Sequence, residues 1–191
     1  MYIYLVRHLE YQNPDNIYPF HLPLNLSVKG RNDADKIANW FVNRTLLGIH
    51  IYTSPIVRCI QTANIIAEKT NSSVVSDQRL IESSCSNLQG KKWIIPHPWR
   101  AEEDDATRET RESTRNRMVG IYDEKVSQDK DCIFVSHGEP LTVLYYYLQG
   151  KELPKYLWNP AIGQQVIEKG DVVIVKVENR EVASIDKIRL I

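Results

Sequence analysis

The chain has 191 residues, of which 42% are hydrophobic and 25% charged, the proportions of an ordinary globular domain. Its 24 Lys and Arg are balanced by 24 Asp and Glu, which leaves no basic footprint for nucleic acid and no polybasic patch for a membrane surface. The apolar runs are strand-length rather than membrane-spanning, and the opening lacks a signal-peptide pattern. Cys59, Cys85 and Cys132 leave one thiol over in any disulfide scheme, so free thiols in a reducing cytoplasm are expected.

In chain order, Tyr2 to Val6 is strand-like by length and β-propensity and ends in Arg7-His8. Tyr11 to Leu26 carries Pro14, Pro19 and Pro23, which exclude a helix and predict an ordered loop over a sheet end. Ser27 is placed to cap a helix reaching about Asn43, with Ala34, Ile37, Ala38, Phe41 and Val42 at helical spacing. Ile49 to Thr53 reads as a short strand. Ser54-Pro55 then predicts an N-cap followed by a first-turn proline, opening a helix that runs to about Lys69.

Val74-Val75 is a further brief strand, followed by an irregular stretch from Asp77 to Trp99 with Gly90, Trp93, Pro96 and Pro98. Its aromatics suggest a lid or pocket wall at about 83–105, though a plain surface loop fits the same length. From Ala101 to about Ser127, opposite charges at helical spacing predict a mostly solvated helix. Cys132 to Val135 is a second buried strand that ends in Ser136-His137-Gly138, and Glu139-Pro140 opens a helix ending near Gly150. Residues 151–170, with Pro154 and Pro160, read as loop. Val172 to Val177 and Val182 to Leu190 close the chain as a hairpin joined around Glu178-Asn179-Arg180.

Strands alternating with helices predict an α/β fold: a three-layer α/β/α sandwich with a mostly parallel central sheet and a C-terminal β-hairpin, in one domain over residues 1–191. No glycine-rich nucleotide loop follows any strand. Three strand ends carry chemically useful groups: Arg7-His8, Ser54 with Arg58, and His137. Two arginines, two histidines and a helix N-terminus suit a dianionic phosphoryl group. His21, His50 and His97 have no metal-ligand spacing. His21 and His97 nonetheless lie in loops that could overhang a pocket, and Trp93 and Trp99 read as lid packing.

In order along the chain, Val6-Arg7-His8, Leu26 through Ala34 (LSVKGRNDA), Thr53 through Ala63 (TSPIVRCIQTA), Arg79 through Ser83 with Leu88-Gln89-Gly90, and Val135 through Gly138 resemble the motifs of the histidine phosphatase superfamily, with its phosphoglycerate-mutase-like fold. The resemblance implies a phosphatase that forms a phosphohistidine on His8. Arg7, Arg58 and His137 would hold the phosphate oxygens and Glu82 would be the general acid, without metal or cofactor, on a small phosphate ester. Gly138 and Asn13 are further phosphate-binding candidates, and Glu10 competes with Glu82 for the acid.

One position departs from the family. Leu9 stands where the family has glycine, which predicts bulk beside the nucleophile. Phosphoglycerate-mutase-type transfer, or a non-catalytic phospholigand-binding regulator, remain as alternatives. Substrate and oligomeric state are open.

Overall fold

The first strand occupies an interior position, and its side chains show why. A computed structural model describes residues 1–93, 106–154, 157–159 and 164–191. In it β1 (Tyr2–Arg7) is buried from Ile3 to Arg7. Ile3 and Leu5 face one apolar layer while Tyr4 and Val6 face another, the alternation of a strand covered on both sides.

The elements then follow as α1 (Val28–Asn43), β2 (His50–Thr53), α2 (Val57–Thr70), β3 (Val74–Ser76), a single 3-10 turn at Gln78–Leu80, α3 (Arg111–Gln128), β4 (Cys132–Ser136) and α4 (Gly138–Leu148). A two-residue pair, β5 (Trp158–Asn159) with β6 (Gln164–Gln165), precedes β7 (Asp171–Glu178) and β8 (Glu181–Arg189). The six-stranded sheet has the order β3-β2-β4-β1-β7-β8. β3, β2, β4 and β1 run parallel, and β7 and β8 join antiparallel. The β7–β8 turn places Asn179 and Arg180 both at positive φ, as a tight two-residue hairpin requires.

One core layer buries Ala34, Ile37, Ala38 and Phe41 of α1 with Cys59, Ala63 and Ile66 of α2. The other buries Met118, Ile121 and Tyr122 of α3 with Leu141 and Leu144 of α4. Helices therefore cover both sheet faces, the α/β/α arrangement expected. Among the described residues no helix is long and apolar enough to cross a membrane, and Cys59, Cys85 and Cys132 are buried.

Three element boundaries differ from the sequence reading. α2 starts at Val57 with Ile56 at its cap position, and Ser54 does not cap it. Strand pairing carries on one residue past β2, because the Ser54 amide donates to the Val135 carbonyl at 2.9 Å. α3 starts at Arg111, capped by the Thr110 hydroxyl, which accepts from the Ser113 amide. The charged residues just before it are extended instead, bridging Arg108 to Cys85. The 151–170 stretch contains the short β5–β6 pair. Pro96, His97, Pro98, Trp99, the start of the charged segment at 101–105 and Pro160 lie outside the described residues.

The proline-bearing loop 11–26 and the 83–93 segment pair with each other. The Tyr18 amide donates to the Lys91 carbonyl at 2.9 Å, and the Trp93 amide donates to the Asn16 carbonyl at 2.7 Å. Tyr18, Phe20 and Cys85, with Leu88 and Trp93, form a small separate apolar cluster.

Candidate active site

Parallel pairing of β1 with β4 sets Arg7 opposite Ser136, so the next residue on each strand, His8 and His137, emerges at the same sheet end. The His8 amide continues the ladder, donating to the Ser136 carbonyl at 2.9 Å. The two imidazole centroids are 5.1 Å apart and both rings are buried. His8 Nδ1 lies 2.9 Å from the Leu9 carbonyl oxygen. An oxygen there can only accept, so the proton sits on Nδ1 and the lone pair on Nε2.

Arg58, the second residue of α2, is 1% exposed and reaches between the two histidines. Its Nε donates to His8 Nε2 at 3.2 Å, and its Nη2 donates to His137 Nδ1 at 3.1 Å and to the Phe20 carbonyl at 2.7 Å. Nη1 donates to the Leu22 carbonyl. With Nδ1 accepting, His137 carries its proton on Nε2, 2.8 Å from Ser54 Oγ. Ser54 thus serves a histidine rather than a helix. Arg7, buried beneath, donates from Nη1 to the Ile167 carbonyl at 3.1 Å, while its Nε has no hydrogen-bond partner among the described residues.

These surroundings set the protonation states. Burial first, and then the Arg58 charge, hold His8 well below the usual imidazole range. The same two causes act in the same direction on His137. Both rings are therefore neutral at neutral pH.

Glu82 arrives from the segment after the 3-10 turn. Ser136 Oγ donates to the Leu80 carbonyl at 2.6 Å, Arg117 donates to the Arg79 carbonyl at 2.6 Å, and Ser83 Oγ meets Thr114 Oγ1 at 3.1 Å. So fixed, Glu82 Oε2 lies 3.7 Å from His137 Nδ1, and Oε1 accepts from the Ser83 amide. Burial pushes its carboxyl up from 4.5 to about 7, against the pull of Arg58 and Arg7 and with a further push from Glu139. Glu10 goes elsewhere: its carboxylate accepts from Ser27 Oγ at 2.7 Å, and its carbonyl accepts from the Ser27 amide at 3.0 Å. Its partner is thus the N-terminus of α1.

Leu9 does not project over the histidine. It is fully buried and packs with Val6, Leu26, Ala34 and Ile37 in the core layer under α1, and it is not among the positive-φ residues. The expected crowding of the nucleophile is corrected, because the side chain points into the core and not along the sheet end. Asn13 is engaged locally, donating to the Ile17 carbonyl and accepting from the Ile17 amide. Gly138 is the buried first residue of α4. His21 Nε2 lies 2.8 Å from the Glu82 carbonyl.

Several neighbours escaped the sequence reading. Gln61 accepts from the Leu26 amide and donates to Asn25 Oδ1, both at 2.7 Å. Thr62 Oγ1 takes the Leu9 amide at 3.3 Å. The Tyr11 ring stands edge-on to His8 at 5.4 Å, and Lys169 Nζ lies 4.7 Å from the centre of that ring. Gln61 and Thr62 lie inside the TSPIVRCIQTA motif, the one available signal. Tyr11 and Lys169 had none. Among the described residues no His, Cys, Asp or Glu cluster could hold a metal ion.

Residues 3–181 match the family model of the histidine phosphatase superfamily, branch 1. The chain is 30% identical to phosphoserine phosphatase 1 of Hydrogenobacter thermophilus over 169 residues, covering 80% of this chain and 78% of that protein. It is 31% identical over 139 residues to a 2,3-bisphosphoglycerate-dependent phosphoglycerate mutase of Thermoplasma acidophilum, covering 66% of each. Among solved structures, Bacillus stearothermophilus YhfR superposes with a TM-score of 0.79 at 24% identity, over 95% of this chain and 93% of that one. A mycobacterial glucosyl-3-phosphoglycerate phosphatase gives 0.72 at 21% identity, over 91% and 89%. At such identities the two structures speak for the fold alone.

Proposed function

The chain belongs to the histidine phosphatase superfamily, and we propose that it hydrolyses small phosphate monoesters, within one domain, through a phosphohistidine on His8. The observation that carries this reading is the state of His8. Its Nδ1 proton is committed to the Leu9 carbonyl, its Nε2 lone pair is free of a proton, and two buried arginines stand beside it.

The steps follow from that geometry. His8 Nε2 attacks phosphorus, and the P–O bond to the alcohol breaks. Glu82, still protonated near neutral pH, passes its proton to the departing oxygen. Arg7 and Arg58 carry the charge on the equatorial oxygens, with the Gly138 amide at the start of α4 as a further donor; His137 joins them when its Nδ1, which accepts from Arg58 in the free site, takes up a proton. Positioning and cationic stabilisation are the main demands of a loose phosphoryl transition state. In the second half Glu82, now a carboxylate, takes a proton from water as that water attacks phosphorus. The P–N bond breaks with its electron pair returning to Nε2, and inorganic phosphate leaves. The Arg58 N–H now shared with His8 Nε2 is the one a phosphate oxygen would take over.

The relatives named above include a phosphoserine phosphatase, which supports a small ester, and a mutase. The mutase likeness favours a second reading in which the phosphohistidine passes its group to another substrate hydroxyl instead of water. A purely binding role loses its motive, since Leu9 packs into the core.

The test is phosphate release from a panel of monoesters at neutral pH with chelator present, comparing wild type with His8→Ala whose fold is verified by circular dichroism. Release by the wild type alone is the expected result. Release that survives in His8→Ala refutes the nucleophile, and isomerisation of 3-phosphoglycerate without release selects the mutase.

A further inference from the structure

We propose that Lys169 and Tyr11 form a second anion subsite, and that the substrate is a phosphate monoester whose alcohol portion carries a carboxylate; this rests on the reading above for where the phosphoryl group sits.

Lys169 lies at the tip of a braced turn. The Glu168 amide donates to Asp171 Oδ2 at 2.8 Å, and the Asp171 amide donates back to the Glu168 carbonyl at 3.1 Å. Asp171 is itself buried, and Gly170 supplies the positive φ. The turn leads into β7, which pairs with β1, and this brings Lys169 to the same sheet end as His8. Its Nζ stands over the Tyr11 ring at 4.7 Å. That ring meets His8 edge-on at 5.4 Å and has the Arg58 guanidinium carbon 5.2 Å from its centre. Tyr11 is thus a common wall between the nucleophile and the lysine.

The lysine is a cation in an already cationic place. No carboxylate lies within 4 Å of its Nζ among the described residues: Glu10 accepts from Ser27 and neighbouring Asp171 pairs with Arg189 and Lys187, and Glu10 and Glu168 act on the lysine only from farther away. Burial, with Arg7 as the next cause and against the pull of Glu10 and Glu168, brings its ammonium down to about 8, so at neutral pH it is mostly charged. A phosphoryl dianion is already matched by Arg7 and Arg58. Lys169 against the Tyr11 ring is a further cation beside that pair, which fits one carboxylate. A second phosphate would normally draw an arginine fork.

The experiment uses His8→Ala protein so that ligands are not consumed, and reads dissociation constants by titration calorimetry. The probes are 2-phosphoglycolate, ethyl phosphate, which lacks the carboxylate, and 1,3-propanediol bisphosphate. Phosphoglycolate is expected to bind about tenfold more tightly than ethyl phosphate, the scale of one partly desolvated ion pair. Adding Lys169→Met should erase that preference while leaving ethyl phosphate within about twofold, and Lys169→Arg should retain most of it.

Equal weakening of both monophosphates by Lys169→Met overturns the proposal, because the lysine would then act only through its field on the phosphate site. Absence of any preference overturns it too, as does stronger binding of the bisphosphate. Wild-type phosphate release is scored separately: release without a Lys169-dependent preference leaves the phosphatase reading standing and removes this one, and the preference without release does the reverse.

Discussion

Replacing Glu82 with Gln should make the protein more stable and less active, and the pH dependence of the two effects identifies their source. The native carboxyl is held up from 4.5 to about 7, chiefly by burial. Below pH 4.5 the group is protonated in both folded and unfolded chains and makes no difference. Between 4.5 and 7 the unfolded chain gives up its proton while the folded one keeps it, so stability falls as pH rises; above 7 the whole loss is present. At 1.36 kcal/mol for each unit of pKa, the loss is about 3 kcal/mol. Glutamine escapes it, and its carbonyl oxygen can still accept from the Ser83 amide as Oε1 does. In urea unfolding, Glu82→Gln should therefore gain about 2 to 3 kcal/mol on wild type between pH 5 and pH 8. The same change removes the proposed proton donor, so hydrolysis of alkyl phosphates should fall by about 10²- to 10⁴-fold. p-Nitrophenyl phosphate, whose leaving group needs no proton, should lose far less. Wild-type turnover of alkyl esters should also decline above pH 7, as the acid ionises while His8 stays neutral. A stability difference that is flat with pH would refute the buried-acid argument.

The remaining predictions concern how the loop after His8 is held. Leu9→Gly should lower unfolding stability by about 3 to 5 kcal/mol, the cost of a large hole in a packed layer plus glycine's chain entropy, without raising turnover more than about twofold. A gain well beyond that would mean Leu9 does hinder the nucleophile. Gly30→Ala, in a helix where alanine would ordinarily add about 1 kcal/mol, should instead destabilise by about 1 to 3 kcal/mol. The new Cβ would meet the Glu10 carbonyl oxygen at 2.0 Å, and because backbone cannot swing aside, the segment following His8 must shift. Denaturation midpoints together with kcat check both, and an unchanged or raised midpoint for Gly30→Ala would contradict the contact.

Fold class and sheet composition were legible because β1 and β4 bury both faces and so appear as unbroken apolar runs, while α1 carries a helical stripe behind a serine cap. The pairing of His8 with His137 could be anticipated for the same reason: both end interior strands. Errors fell where side-chain pattern and backbone role part company. Ser54-Pro55 has the form of a helix start, but the Ser54 amide extends the β2–β4 ladder and its hydroxyl meets His137. The charges before Arg111 mimic helical pairing, but Arg108 bridges Cys85 and pairs with Glu139 across the fold. Tyr11 and Lys169 were beyond reach, since they stand 158 positions apart and the β1–β7 pairing brings their loops together.

That blind spot has a physical basis in how the cations are held. Arg7 and Arg58 are nearly fully buried, and no carboxylate lies within 4 Å of either among the described residues. A buried, uncompensated charge is costly, and a permanent carboxylate partner would compete with the phosphate. The fold satisfies them with main-chain carbonyls instead: Phe20 and Leu22 for Arg58, Ile167 for Arg7. A carbonyl solvates a guanidinium without cancelling its charge, so the cation remains available to an anion. This assigns a role to the proline-bearing loop 11–26 and to the turn before β7, which is to aim backbone oxygens at two arginines. Such a role places few demands on side-chain identity and leaves no motif. A change in either loop that moves Phe20, Leu22 or Ile167 main chain would therefore reach the proposed phosphate site without altering any side chain assigned to it.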